Sequence, residues 1–185
     1  MGEYQNTFKT TYYKYFLMTA LMIGFFSCNR ESKDIEINEE PIVSTFYLIR
    51  HAEKDRSDLS NPDPELNQKG LDRAIRWAEV FDPIPLDAIY STNYERTTMT
   101  AAPTSVKKNI DITFYDPQNL TIEAFKSQNE GSNVLVVGHS NTTPDFVNKL
   151  LGEQKFAAMN DDDNSSLFIV RFIDDQVTHI HLKMD

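Results

Sequence analysis

Asn133-Val134-Leu135-Val136-Val137-Gly138-His139-Ser140-Asn141 (NVLVVGHSN, residues 133–141) is the stretch that decides the fold. Its first five residues are the most strand-like run in the chain. They are apolar without alternation, as a strand covered on both faces requires. Gly138 closes the run, and a helical stretch follows from about Thr143 to Leu151, ended by Gly152.

The same sequence of events recurs upstream. TFYLIR (Thr45–Arg50) is a second continuous β-prone run, followed by a polar loop from Glu53 to Glu65. Asn67 is a good helix N-cap, and Leu71, Ala74, Ile75, Ala78 and Phe81 recur behind it at helical spacing, predicting one buried face. Pro83 and Pro85 stop that helix. A short strand (Ala88–Tyr90), a helix (about Tyr94–Val106), a strand (Ile112–Tyr115) and a brief helix (about Ile122–Ser127) then lead to residue 133. Beyond Gly152 the pattern changes. Leu167–Ile173 and Val177–Met184 are strands separated by Asp174-Asp175-Gln176, which predicts an antiparallel hairpin. Four strand–helix pairs followed by two strands imply an α/β fold, a three-layer α/β/α sandwich with a mainly parallel sheet. Ligands of such sheets sit beyond the carboxyl ends of the strands.

The chain has 185 residues, room for one well-cored domain, and a formal charge of −10. That acidity argues against nucleic acid as a partner. It also means that an anion pocket must build its own positive field, so clustered arginines are informative. The first 28 residues are different in kind. Lys9 and Lys14 precede a 12-residue apolar run, Tyr15–Phe26, and then Ser27-Cys28. The run is too short to span a membrane, which takes about 20 residues, but it suits a secretory h-region. Cys28 is the single cysteine and has no internal disulfide partner; its simplest readings are a buried or an inert thiol. Its place after a small residue at the end of an h-region resembles the lipobox of bacterial lipoproteins, with Phe25 and Phe26 departing from that motif. A plain signal peptide or a short anchor is the alternative. The expected division is a signal peptide over 1–28, a polar tether over 29–43 and one domain over 44–185. The protein is then extracytoplasmic, touching a membrane only through a lipid on Cys28, and monomeric.

Arg50 and His51 stand where the first strand ends, His139 where the strongest strand ends, and Arg96 in the helix after the second strand. Three strand ends thus deliver two histidines and two arginines to one edge of the sheet. A neutral imidazole is nucleophilic at physiological pH. Guanidinium groups supply a permanently charged fork for phosphoryl oxygens. The set suits phosphoryl transfer, in which positioning and charge stabilisation are most of the catalysis.

The segments LIRHAEK (48–54), LNQKGLDRA (66–74), YSTNYERTTMTA (90–101) and VVGHSNTTP (136–144) resemble, in order, those of the histidine phosphatase superfamily, the phosphoglycerate-mutase-like fold, over about Thr45 to Leu182. The resemblance implies that His51 is the phosphorylated nucleophile, that Arg50 and Arg96 clamp the phosphate and that His139 is the second pocket histidine. Ser140 and Asn141 would line the pocket. Only 42 residues separate Arg96 from His139, so the chain resembles the short, minimally capped SixA-like members. Mutase activity, which goes with a long insertion there, is not expected, and the phytase string RHGxRxP is missing. The implied activity is a metal-independent phosphomonoesterase, with no cofactor, acting on a small phosphate ester. The rivals are a protein phosphohistidine phosphatase and a non-catalytic phosphate-binding lipoprotein.

The general acid is open among Glu53, Asp116, Glu123 and Asp145, with Asp116 preferred because it ends a parallel strand. Glu53 and Lys54 read equally as a surface ion pair. His179 and His181 share one strand face, which is expected to be the solvent face, with Ile180 and Leu182 buried opposite; no metal is expected there. Trp77 is expected in the core. Asp161-Asp162-Asp163 lacks the alternation of a calcium loop and reads as a solvated loop.

Overall fold

Val43–Arg50 (β1) lies near the middle of a six-stranded sheet, and its unbroken run Phe46-Tyr47-Leu48-Ile49 follows from having helices on both faces. In the computed structural model, which describes residues 40–184, the strands are ordered β3-β2-β4-β1-β5-β6. Here β2 is Ala88–Ser91, β3 Ile112–Phe114, β4 Asn133–Gly138, β5 Ser166–Ile173 and β6 Gln176–Lys183. The first four run parallel; β5 pairs antiparallel with β1, and β6 with β5, as the hairpin pattern predicts. The helices are α1 (Gln68–Val80), α2 (Glu95–Lys108), α3 (Ile122–Gln128) and α4 (Thr142–Leu151). The expected leader, Cys28 and the tether up to residue 39 lie outside the described residues. β1 begins at Val43, one residue inside the expected tether.

Alternation along the strands divides the core into two layers. Phe46, Leu48, Val134, Val136, Phe168 and Val170 face Phe125 of α3 and Phe146, Val147 and Leu150 of α4. Ile49, Ile89, Leu135, Val137 and Leu167 face Trp77 of α1, the Phe81 that caps it, and Ala101 of α2. Trp77 is a core residue as expected. This is the three-layer α/β/α arrangement.

Two faces differ from the sequence reading. On α1 the apolar stripe is rotated: Leu71 and Ile75 are exposed, while Gly70, Arg73, Ala74, Trp77 and Ala78 are buried. Arg73 can be buried because Glu53 takes its guanidinium on both oxygens, at 2.9–3.1 Å. On β6 neither face is buried: the expected burial of Ile180 and Leu182 is absent, and His181 is itself exposed. His181 stacks flat on Phe168 at 4.2 Å and its Nε2 meets Ser166 Oγ at 3.0 Å, and His179 packs edge-on to Phe156. Ile180 and Leu182 are exposed as well. A strand at the sheet edge does not have to bury its apolar face, which removes the premise of the expectation.

α1 begins as its cap predicts, with Asn67 Oδ1 accepting from Gly70 N at 3.0 Å. Gly70 is also where the helix touches the loop after β1: a Cβ there would run into the backbone carbonyl of Glu53. Since the obstacle is backbone, Gly70→Ala is expected to cost about 2–3 kcal/mol despite the better helix propensity of alanine. Urea unfolding measures it; an unchanged or raised midpoint would show that the two segments are not in contact.

Candidate active site

β1, β4 and β2 end side by side. His51 N donates to Gly138 O (2.9 Å) and Thr92 N to Val137 O (3.4 Å), so the residues after all three strands share one cleft. His51 is 4% exposed and held at every backbone position. Asn164 Nδ2 donates to its carbonyl (2.8 Å), and the following amide, of Ala52, donates to Thr100 Oγ1 (2.9 Å). Its ring Nδ1 lies 2.7 Å from the Ala52 carbonyl, which accepts only, so Nδ1 carries the proton and Nε2 keeps its lone pair.

His139 sits opposite, with ring centroids 5.5 Å apart. Its Nε2 meets Thr92 Oγ1 at 2.9 Å, its backbone N donates to Thr142 Oγ1, and Tyr94 packs edge-on to its ring. Arg96, in the first turn of α2, lies over the Tyr94 ring at 4.4 Å and reaches Asp63 Oδ1 at 3.0 Å. Arg50 is 2% exposed. Its Nη1 donates to the carbonyls of Asn160, Asp161 and Asp163, and its Nη2 to Asp161 Oδ1. The Nε of Arg50 and of Arg96 are both buried without a protein acceptor. Two orphaned cationic donors beside two histidines are a place for an oxyanion.

Burial and the surrounding guanidinium charges act together on the histidines. His51 is pushed down to about 3, first by burial and then by the fields of Arg50, His139 and Arg96, against its bond to the Ala52 carbonyl. His139 is pushed down to about 4 by burial, Arg96 and Arg50. Both rings are therefore neutral at pH 7, the form in which an imidazole attacks. Stability must follow. The unfolded chain protonates these histidines near pH 6.5, whereas the folded one resists until pH 3–4. As the pH falls from about 6.5 the unfolded state takes up more protons, so stability drops, by at most about 1.4 kcal/mol per pH unit for His51. We expect Tm to fall between pH 7 and pH 5, and inorganic phosphate, by stabilising the protonated rings, to flatten that fall. A phosphate-insensitive profile would contradict a shared anion site.

The cleft has two lobes with Arg50, His51, Lys54 and Asp161 in both. One, of about 410 Å³, adds Thr92, Tyr94, Arg96, Asp116, His139, Ser140 and Asn141. The other, of about 400 Å³, adds Glu53, Arg56, Asn67, Lys69, Asp162 and Asn164. The expected residues Arg50, His51, Arg96, His139, Ser140, Asn141 and Asp116 thus converge. The other acid candidates do not serve. Glu53 is held by Arg73 and by Lys69 (3.2 Å), contacts that lower its pKa although burial opposes them. Its partner is not Lys54. Asp145 pairs with Lys149 outside the cleft, and Glu123 lies outside both lobes. The acidic run is also no plain solvated loop: Asp161 bridges Arg50 and Arg56 (2.7 Å), and Asp163 takes Ser166 Oγ and Lys183. Thr92, Thr100, Asn164 and Asp63 were not foreseen. A signal existed for the threonines: Thr97, Thr100 and Thr104 recur at helical spacing on the buried side of α2, an unusual polar core face.

Two histidines and two arginines gathered at the carboxyl edge of a parallel sheet are an arrangement that can hold a phosphoryl group. A sequence model of the histidine phosphatase superfamily (branch 1) matches residues 46–117 of this chain. Among curated proteins, none matches it by sequence. Solved structures share its fold. The SixA protein of Agrobacterium tumefaciens is 23% identical with a TM-score of 0.54, over 75% of this chain and 97% of its own. A mycobacterial glucosyl-3-phosphoglycerate phosphatase is 14% identical with 0.58, over 77% and 100%. A phosphoglycerate mutase from Bacillus anthracis is 15% identical with 0.58, over 77% and 94%.

Proposed function

We propose that the protein is a phosphomonoesterase that works through a phosphohistidine at His51, without a metal, and is anchored outside the cytoplasm by a lipid on Cys28. One observation carries the reading: the neutral His51 ring presents an unpaired Nε2 in a cleft with Arg50, Arg96 and His139. Nε2 attacks phosphorus, the P–O bond to the ester breaks, and the alkoxide leaves with a proton from Asp116. Asp116 lines the cleft and, among the described residues, pairs with no cation. Its oxygens accept only from Gln118 N and Asn119 Nδ2. Water then hydrolyses the phosphohistidine, giving inorganic phosphate and returning Nε2. The arginines and His139 carry the charge on the non-bridging oxygens throughout, so a divalent ion has no task to perform.

A protein phosphohistidine as substrate is the second reading. Its support is the short connection between Arg96 and His139: α2, β3 and α3 with their turns, and no added cap. One of the structures sharing the fold, at 14% identity and TM-score 0.59, is the protein histidine phosphatase SixA complexed with tungstate. The extracytoplasmic leader favours a small ester. The test is phosphate release from an aryl phosphate at pH 7 in excess chelator. Turnover undiminished by chelation is expected, with an acid-labile, alkali-stable label on the quenched enzyme. Chelator-sensitive turnover would remove the metal-free mechanism, and binding without turnover would leave a phosphate-binding lipoprotein.

A further inference from the structure

We propose that the second lobe of the cleft, built by residues 53–69, is a subsite for an oxyanion on the part of the substrate that is not transferred, so that the preferred ester carries a second carboxylate or phosphate. The inference rests on His51 being the phosphoryl acceptor, since that places the lobe beside the leaving group.

Lobe size is the first support. About 400 Å³ is lined by His51 but by neither Arg96 nor His139, space within the range of whole small-molecule sites. A phosphoryl group held by the arginines would leave it free. The charge of its wall is the second support. Arg50, Lys54, Arg56 and Lys69 line it. Its carboxylates are largely spent: Glu53 on Arg73 and Lys69, Asp161 on Arg50 and Arg56. Asp162 is the remaining one. Counting Arg73 behind Glu53, five cationic side chains face three carboxylates, on a chain whose formal charge is −10. Such a reversal of sign draws in an anion that the rest of the surface repels.

Lys54 is the sharpest element. Three residues after the nucleophile, it lines both lobes and has no ion-pair partner among the described residues. Partial burial and the fields of Arg56 and Arg96 already disfavour its charge, although Asp161 favours it. An incoming oxyanion would relieve that. The loop is also preorganised. Lys54 bridges Leu66 antiparallel, Asp55 N donates to Glu65 O (2.7 Å), and Asn67 clasps the other side through its N to Glu53 O and its Nδ2 to Lys54 O. A site built before the ligand arrives loses less on ordering.

The experiment uses the full chain and matched esters, because carboxylate and phosphate share the recognised chemistry. 2-Hydroxyethyl phosphate, phosphoglycolate and phosphoethanolamine share a two-carbon frame with neutral, anionic and cationic ends. Glucose 6-phosphate and glucose 1,6-bisphosphate make the longer pair. We expect the anionic member of one set to exceed its neutral counterpart at least tenfold in kcat/KM, and the cationic ester to be poorest. That ratio should collapse in the triple variant Lys54→Gln, Arg56→Gln, Lys69→Gln, with a cooperative thermal unfolding transition as the reference for intact folding. Preference for carboxylate in the short set or for phosphate in the long set identifies the group. Equal rates across each set, or a preference surviving the triple variant, would overturn the subsite. If no ester and no aryl phosphate is turned over, it is the phosphatase reading that fails. Calorimetric binding of the same compounds then decides the subsite: tighter binding of the anionic member, lost in the triple variant, supports it, and equal binding refutes it.

Discussion

His51→Ala is expected to lower kcat for an aryl phosphate by roughly 10⁴-fold or more, with the phosphoryl label on the quenched enzyme disappearing in parallel. The loss should fall on kcat rather than KM, since Arg50, Arg96 and His139 remain to hold the ester. The folded state should survive. His51 is buried, but its ring makes one hydrogen bond, to the Ala52 carbonyl. Its removal also takes away a group that the unfolded chain protonates more readily, so below pH 6.5 the variant should lose less stability than the wild type as the pH falls. A shallower pH dependence of Tm together with abolished turnover is a signature that plain misfolding would not give. If turnover persists in the variant, another group accepts the phosphoryl and the proposed mechanism is wrong.

The neighbouring His139 separates nucleophile from clamp. His139 contacts Thr92 through Nε2 and is tilted 65° to His51, which suits a donor to a non-bridging oxygen rather than a second attacker. Its loss should reduce turnover while leaving the label on His51.

How far the sequence carried the reading depends on the range of the interaction involved. Strand runs, the Asn67 cap and the Gly152 terminator are local, and each element appears within one or two residues of its expected bounds. The convergence of Arg50, His51, Arg96 and His139 was legible because three of them sit at strand ends and Arg96 in the first turn of the helix after β2, positions that a parallel sheet dictates. What escaped depended on pairs distant in the chain. Nothing near Arg73 announces that it will be buried on Glu53, so sequence spacing alone puts the stripe of α1 on Leu71 and Ile75. Nothing near Asp161 announces Arg50, 111 residues away. On β6 alternation gives two faces without saying that either is covered: His181 stacks on Phe168 and His179 meets Phe156 edge-on, while Ile180 and Leu182 stay exposed.

Arg50 carries the last expected result, because it serves chemistry and architecture with the same guanidinium. Its Nη1 holds three carbonyls of residues 160–163 and its Nη2 the Asp161 carboxylate, while the buried Nε stays unpaired. A lysine offers one compact ammonium that cannot span those acceptors and also present a donor to a phosphoryl oxygen. Arg50→Lys should therefore lower kcat/KM by roughly 10²–10³-fold, in the range seen when a single preorganised donor to transition-state charge is lost. Arg50→Met should go further. It strands the carbonyls of Asn160, Asp161 and Asp163 and leaves Asp161 with Arg56 alone, so a stability loss of about 3–5 kcal/mol is expected. Proteolysis offers a local readout: in Arg50→Met, cleavage should begin in residues 160–163 before the sheet is attacked. The two effects make a discriminating pair. A fully active Arg50→Lys would mean that Arg50 only ties down the 160–163 loop, and the phosphate would then rest on Arg96 and the histidines. An inactive but normally stable Arg50→Met would mean the reverse, that the loop holds itself and the guanidinium is there for the ligand.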